Sequence, residues 1–118
     1  MSRLEPVRRG TSEHYTWGAG AEGWYLATSD TLSMISERMP PGATETPHYH
    51  EAARQVFYVL SGRLSMVFVE GIQELRAGDA LEIPPGLVHQ ARNDSQRDVD
   101  FLVVSVPPAG KDRINAEL

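Results

Sequence analysis

Short apolar segments separated by turn residues recur along most of this chain. From residue 24 onwards, runs of strand length such as WYLA (24–27), QVFYVLS (55–61) and DFLVVSV (100–106) alternate with breaks such as PPGA, AGD and NDSQRD. The breaks recur about every ten residues, which is typical of an all-β sandwich or barrel. No stretch before residue 108 has the apolar stripe of an amphipathic helix. The sequence therefore predicts an all-β fold.

The length of 118 residues fits one domain. Residues 1–23 are polar and lack a sustained period, so we expect an N-terminal arm with at most a short edge strand. Residues 24–108 hold the strand-like segments and form the predicted β-domain. Residues 109–118 form a C-terminal tail, for which the polar segment KDRINAEL predicts only a surface turn.

Composition excludes several classes of function. The net charge of −5 provides no basic surface for a phosphate backbone. The absence of cysteine excludes disulfides, a thiolate nucleophile and cysteine-based metal sites. The segment MSRLEPVRRG lacks the apolar core of a secretory signal, and no apolar run approaches the roughly 20 residues that span a bilayer. We therefore expect a cytoplasmic protein without nucleic acid or membrane partners.

Two of the four histidines, His48 and His50, are separated by one residue. In a strand such residues project from the same face, about 6.6 Å apart along the backbone, and two imidazoles can converge on one metal ion from there. A histidine pair of this kind is also common as a partly exposed polar pair. Glu51 would face away from both rings if the strand continues.

Two longer patterns contain these histidines. The first is Gly42-x5-His48-x-His50-x4-Gln55-x6-Gly62, and the second is Gly78-x5-Pro84-x-Gly86-x2-His89-x3-Asn93. Together they resemble the two conserved motifs of the cupin superfamily, over residues 42–93. The resemblance implies a small jelly-roll barrel, the double-stranded β-helix, in which two histidines and a glutamate of the first motif and a histidine of the second hold a divalent metal ion.

The chain departs from that pattern at one position, because Gln55 stands where the family has glutamate. The resemblance implies His48, His50 and His89 as metal ligands, with Gln55 either as a fourth ligand through its side-chain oxygen or as a hydrogen-bond partner of metal-bound water. Some members of the superfamily, including metal-dependent aromatic polyketide cyclases, use glutamine there. Zinc, nickel, manganese and iron all remain open as the metal.

The neutral amide has chemical consequences. Three imidazoles and an amide leave a divalent ion with its full charge, which disfavours cycling through Fe(III) and suits Lewis-acid or metal-hydroxide chemistry. Our hypothesis is an enzyme that cyclises, isomerises or eliminates from a small molecule with a carbonyl, enol or hydroxyl group. A three-His iron dioxygenase and a non-catalytic cupin that binds a small molecule remain the alternatives.

Alternation predicts the walls of the site. Phe57 and Val59 share the face of Gln55, and Ala91 shares that of His89, so these three residues are expected to line a modest apolar cavity. Asn93 is expected to satisfy turn backbone. The family resemblance also implies a homodimer, since small cupins commonly pair through their sheets.

Overall fold

The computed structural model describes residues 4–118, and this part of the chain contains eleven β-strands and no helix. The prediction of an all-β fold is confirmed. The strands are β1 (His14–Trp17), β2 (Ala21–Thr28), β3 (Ser33–Met39), β4 (His48–His50), β5 (Arg54–Ser61), β6 (Arg63–Phe68), β7 (Gly71–Arg76), β8 (Ala80–Ile83), β9 (Gln90–Arg92), β10 (Val99–Val106) and β11 (Arg113–Asn115). Since no described helix exists, none is long and apolar enough to cross a membrane.

The strands form three antiparallel sheets. The largest has the order β1-β2-β3-β10-β5-β8, and two smaller sheets have the orders β7-β6-β9 and β11-β4. Isolated bridges join Thr44 to Arg92 and His48 to His89, so the two smaller sheets continue into each other. Phe57 and Phe101 of the large sheet share one buried core with Leu64 and Met66 of β6. This is the jelly-roll arrangement of a double-stranded β-helix.

Strand β5 shows how the sequence determines the facing of the large sheet. Gln55, Phe57 and Val59 are buried, whereas Tyr58 is 40% exposed and Leu60 is 46% exposed. The strand is therefore covered on one face only, although both of its faces are rich in apolar residues. Its outer face is part of the surface of the chain.

Two motif residues fix turns beside the site. Gly62 has a φ of +84°, and a Cβ there would lie 2.5 Å from the carbonyl oxygen of Asp98, so no other residue fits without a shift. Asn93 is fully buried and donates from Nδ2 to the carbonyl oxygens of Met39 and Arg97. Its side chain holds backbone, as its position in the sequence predicts.

Short segments near both ends of the described residues belong to the sheets. Strand β1 lies at the edge of the large sheet and pairs with β2, which begins at Ala21. The prediction of a surface turn for the tail is wrong for Arg113–Asn115, which form β11 and pair with β4. A strand of three residues has too few positions for an alternating pattern, and polar contacts made by Asp112 and Arg113 hold the segment in place.

Candidate metal centre and its cavity

The fold brings the three motif histidines together. His48 and His50 lie on β4, and His89 precedes β9. The backbones of His48 and His89 exchange two hydrogen bonds, of 3.0 and 2.9 Å, which fix the two segments side by side. One nitrogen from each of the three rings lies within 4.8 Å of the other two, and all three residues are buried. Three buried histidines in this arrangement can bind a metal ion.

Hydrogen bonds orient each ring. Nδ1 of His48 donates to the carbonyl oxygen of Thr46 at 2.8 Å, and Nδ1 of His89 donates to that of Leu87 at 2.9 Å. A carbonyl oxygen only accepts, so the ring proton is on Nδ1 and the lone pair is on Nε2. Both rings are thereby held in the tautomer that leaves Nε2 free to coordinate a metal.

His50 is held by a carboxylate instead. Its Nδ1 lies 3.0 Å from Oδ1 of Asp112, whose other oxygen accepts the backbone N–H groups of Ala52 and Ala53 at 2.9 and 2.8 Å. Burial raises the pKa of Asp112, but these donors favour the charged form more strongly and lower the pKa to about 2. The ionised carboxylate only accepts, so Nδ1 of His50 carries the proton of this hydrogen bond, as in the other two rings.

Burial also sets the charge of the His48 and His89 rings. It lowers the pKa of His48 to about 3, against the opposing effect of the hydrogen bond to Thr46. It lowers the pKa of His89 in the same way. Metal ligation requires neutral imidazole, and these rings are neutral at physiological pH.

Gln55 presents an oxygen to the same region. It pairs across the sheet with Ser105 and donates from Nε2 to Oγ of that residue at 3.1 Å. Its Oε1 is buried and has no hydrogen-bond partner among the described residues, and the same is true of Nε2 of His89. Buried acceptors without a partner are costly, and a divalent cation would satisfy both. The donor set therefore fits a metal ion.

A cavity of about 430 Å³ opens beside these groups. His48, His50, Gln55 and Phe57 line it. Val59 and Ala91 are buried in the hydrophobic core and are not among its lining residues, although Val59 shares a face of β5 with Phe57. Alternation gives the facing of a residue but not its depth in the barrel.

Four residues of the polar cavity wall are not specified by either motif. The cavity is lined by Tyr15 of β1, Glu37 of β3, Arg113 of β11 and Glu45, which precedes β4. Sequence reasoning did not identify these four residues, because three of them lie far from the motifs in sequence and Glu45 occupies a position that the first motif leaves unspecified. The only signal is the position of Glu37 on the inward face of β3, between buried Met39 and cavity-lining Ile35.

The acidic residues of this wall are perturbed. Burial raises the pKa of Glu37 to about 7, against the hydrogen bond from Tyr15 and the charge of Arg113. It raises the pKa of Glu45 to about 7, against the backbone N–H of Ala91. Burial and the neighbouring Glu37 also raise the pKa of Tyr15. At neutral pH the cavity therefore holds carboxyl groups that can both gain and lose a proton.

Comparison with known proteins agrees with this architecture. The family described as "Cupin domain" matches residues 35–105. An uncharacterized protein of Aquifex aeolicus is 36% identical over 75 residues, which are 64% of this chain and 62% of that protein. The quercetin 2,3-dioxygenase of Bacillus subtilis is 35% identical over 69 residues, which are 58% of this chain and 20% of the enzyme. The chain thus spans less than two thirds of either relative.

A solved structure extends the likeness to nearly the whole chain. The polyketide cyclase RemF from Streptomyces resistomycificus superposes with a TM-score of 0.83, covering 98% of this chain and 87% of the cyclase at 21% identity. At that identity the likeness concerns the fold. The family match, the two motifs and the double-stranded β-helix agree with one another. The chain belongs to the cupin family.

Proposed function

We propose that this protein is a metal-dependent cupin enzyme that acts on a small organic molecule by Lewis-acid or metal-hydroxide chemistry. One observation carries the proposal: Oε1 of Gln55, which lines the cavity, and Nε2 of His89, which belongs to the buried three-histidine group, have no hydrogen-bond partner among the described residues. A core that bound nothing would leave both acceptors unsatisfied. The metal is zinc, nickel, manganese or iron.

His48, His50 and His89 would hold the metal through Nε2, and Gln55 would hold it through Oε1. A divalent ion there supplies Lewis-acid polarisation of a substrate carbonyl or hydroxyl, or an activated hydroxide. The chain supplies a fixed tautomer at each ring, an oriented amide and a cavity wall with carboxyl groups. These features suit cyclisation, isomerisation or elimination, in which protons move without oxidation of the substrate.

Metal content tests the proposal. The protein is purified without added metal or chelator and analysed by mass spectrometry, with His89→Ala as the test variant and the exposed His14→Ala as its control. We expect about one metal ion per chain in the wild type and in His14→Ala, and loss of the metal in His89→Ala. Absence of metal from the wild type, persisting after reconstitution with each of the four ions, would contradict the proposal and leave a non-catalytic binding cupin.

A three-His iron dioxygenase is the second candidate, and the similarity to a quercetin 2,3-dioxygenase favours it. The neutral Gln55 argues against it, because no carboxylate then stabilises the higher oxidation state of iron. Oxygen consumption by the iron-loaded protein in the presence of flavonols separates the two. Consumption in proportion to turnover would favour the dioxygenase.

We also propose that the protein forms a homodimer through the outer face of the large sheet. Tyr58, Leu60 and Val106 on neighbouring strands of this face are 40%, 46% and 48% exposed. Tyr58 and Leu60 are two residues apart on β5, Val106 is on the adjacent strand β10, and exposed apolar side chains on one face are typical of an interaction surface. Light scattering is expected to give the mass of a dimer, and Tyr58→Glu to give that of a monomer. A monomeric wild type at micromolar concentration would contradict the proposal.

A further inference from the structure

Tyr15 and Glu37 form a hydrogen-bonded pair in the wall of the cavity. The Tyr15 hydroxyl donates to Oε2 of Glu37 at 2.6 Å, although the two residues are on strands that are not neighbours. Both line the same cavity as His48 and Gln55. The pair lies outside both cupin motifs, so the metal site does not account for it.

A glycine makes this contact possible. Tyr15 pairs with Gly23 on β2, and Gly23 pairs with Glu37 on β3, so the three residues form one row across the sheet. A Cβ at Gly23 would overlap the Tyr15 ring. The missing side chain therefore lets the phenol cross β2 and reach the carboxyl group. Gly23 does not have a positive φ, so space rather than backbone conformation explains glycine here.

The second carboxyl oxygen faces the cavity. Oε1 of Glu37 has no hydrogen-bond partner among residues 4–118, and it is not among the buried side-chain atoms without a partner. It is therefore accessible from the cavity that Glu37 lines. Tyr15 holds one oxygen of the carboxyl group and leaves the other for a ligand.

Glu37 and Gln55, the candidate fourth ligand, are opposite different positions of β10. Glu37 is opposite Phe101 on β10, whereas Gln55 is opposite Ser105 on the same strand. Four residues of strand separate the two positions, about 13 Å along the backbone. The side chains of Glu37 and Gln55 both line one cavity of about 430 Å³. A ligand that touches both ends must be larger than a two- or three-carbon acid.

We propose that Glu37, oriented by Tyr15, is a catalytic acid–base group that exchanges a proton with the end of the substrate remote from the three histidines. The substrate is then an extended carbonyl compound with a hydroxyl or enolisable group at its far end. This inference rests on the proposed function. As acid, Glu37 breaks its O–H bond and keeps the electron pair as carboxylate while a substrate atom gains the proton; as base, it takes the proton back in the reverse step.

The surroundings of Glu37 suit this role. The titratable and charged groups that influence it or its partner are Tyr15, Tyr25 on β2, Glu45 before β4 and Arg113 on β11. Burial raises the pKa of Glu37 to about 7, so that both protonation states are populated near neutral pH. The hydrogen bond from Tyr15 lowers this pKa and favours the carboxylate.

Esterification of the metal-free protein by a diazo reagent, which reacts with protonated carboxyl groups, tests the protonation state of Glu37. Peptide mass spectrometry is expected to find label on Glu37 in the wild type, with a rate that falls as pH rises through about 7, and no label at this position in Glu37→Gln. Tyr15→Phe and Gly23→Ala both remove the hydrogen-bond donor to Glu37. Each is expected to raise the pH at which the labelling rate falls to half, the labelling midpoint, by about one unit. Tyr25→Phe, which leaves the donor in place, is the control.

Ligand binding tests whether Glu37 contacts the end of a ligand that lies far from the histidines. The probe is quinalizarin, a planar anthraquinone with hydroxyl groups on both outer rings, added to the zinc-loaded protein. We expect Glu37→Ala to weaken its binding about tenfold, the effect of one lost hydrogen bond, and to leave the binding of oxalate unchanged because oxalate is too small to reach both ends. Glu70→Ala, at an exposed position, is the control.

The outcomes separate this inference from the proposed function. Unlabelled Glu37 in a folded protein, a midpoint that does not respond to Tyr15→Phe and Gly23→Ala, or equal quinalizarin affinity in wild type and Glu37→Ala would overturn the role of Glu37. Each of these results is compatible with normal zinc content. Loss of zinc binding by the wild type would instead overturn the metal centre, and the labelling experiment would still report on Glu37.

Discussion

Asp112 accepts the Nδ1 proton of His50 at 3.0 Å, from a segment 62 residues further along the chain. The other two rings are held by carbonyl oxygens two residues away from them in sequence. One ring of the candidate metal centre therefore depends on the docking of the C-terminal segment. The carboxylate also makes the His50 ring a stronger donor to a cation.

We predict that Asp112→Asn weakens zinc binding by about 10- to 100-fold, because an amide orients the ring less strongly than a carboxylate and loses the anionic acceptor for Ala52 and Ala53. Competition with a chromophoric chelator measures the affinity. Asp94→Asn is the control, since Asp94 pairs with Arg92 on the surface. Equal affinities for the two variants would show that Asp112 does not act on the metal centre.

Ser105 orients the amide of Gln55. Ser105 is 1% exposed, and its Oγ accepts from Nε2 of Gln55, which directs Oε1 away from the serine. Ser105→Ala frees the amide to rotate, so we expect about fivefold weaker zinc binding, the effect of about 1 kcal/mol. Ser33→Ala is the matched control, because Ser33 pairs with Ser105 in the sheet, is buried, and has an Oγ without a hydrogen-bond partner among the described residues.

A double-mutant cycle makes the Ser105 prediction specific. If the serine acts through the amide, Ser105→Ala has no further effect on zinc affinity in the Gln55→Ala background. Additive effects of the two substitutions would mean that Ser105 influences the site by another route. A change in Ser33→Ala as large as that in Ser105→Ala would also contradict the prediction.

Two motif glycines allow the stability cost of a steric clash to be measured separately from the cost of a left-handed backbone conformation. Gly62 and Gly78 have φ angles of +84° and +91°, but only Gly62 has backbone within reach of a Cβ, at the Asp98 carbonyl. We expect Gly78→Ala to cost about 1–2 kcal/mol from the left-handed conformation alone, and Gly62→Ala about 3 kcal/mol or more. Urea unfolding measures both. Equal costs would mean that the turn at Gly62 relaxes freely.

The metal-ligand candidates were predictable from sequence because they lie on regular elements at short spacing. His48 and His50 share one face of a strand by the geometry of the pleat, and the second motif specifies His89. The facing of Gln55, Phe57 and Val59 on β5 follows from the same period of two, and all three are buried. Their depth in the barrel does not follow from that period: both Phe57 and Val59 belong to the core, but only Phe57 also lines the cavity.

The sequence did not reveal Tyr15 and Asp112, because each contacts a residue far away in the sequence. Tyr15 reaches Glu37 only because strand register places Gly23 between them, and register is a property of the assembled sheet. Asp112 reaches His50 only after the tail pairs with β4. A three-residue strand carries no periodic signal, so side-chain contacts rather than pattern determine where the tail lies.

The buried carboxyl group of Glu37 should make stability depend on pH. Its pKa is raised from 4.5 to about 7 in the folded state, so between these values the folded chain binds more protons than the unfolded chain. The contribution of this group to stability is therefore complete below pH 4.5 and is lost as pH rises through about 7. Glu37→Gln removes this dependence and keeps an oxygen that can accept from Tyr15.

We predict that Glu37→Gln is more stable than the wild type by about 1–3 kcal/mol at pH 8, and that the difference disappears below pH 4.5. Urea unfolding of the metal-free wild type and variant across this pH range measures the difference in the free energy of unfolding. The contributions of the other titrating groups are the same in both proteins and cancel in this difference. Glu70→Gln, at an exposed position, should differ little from the wild type at any pH. A Glu37→Gln difference that stayed constant with pH would mean that Glu37 titrates alike in the folded and unfolded chains, and its burial would then have no effect on proton binding.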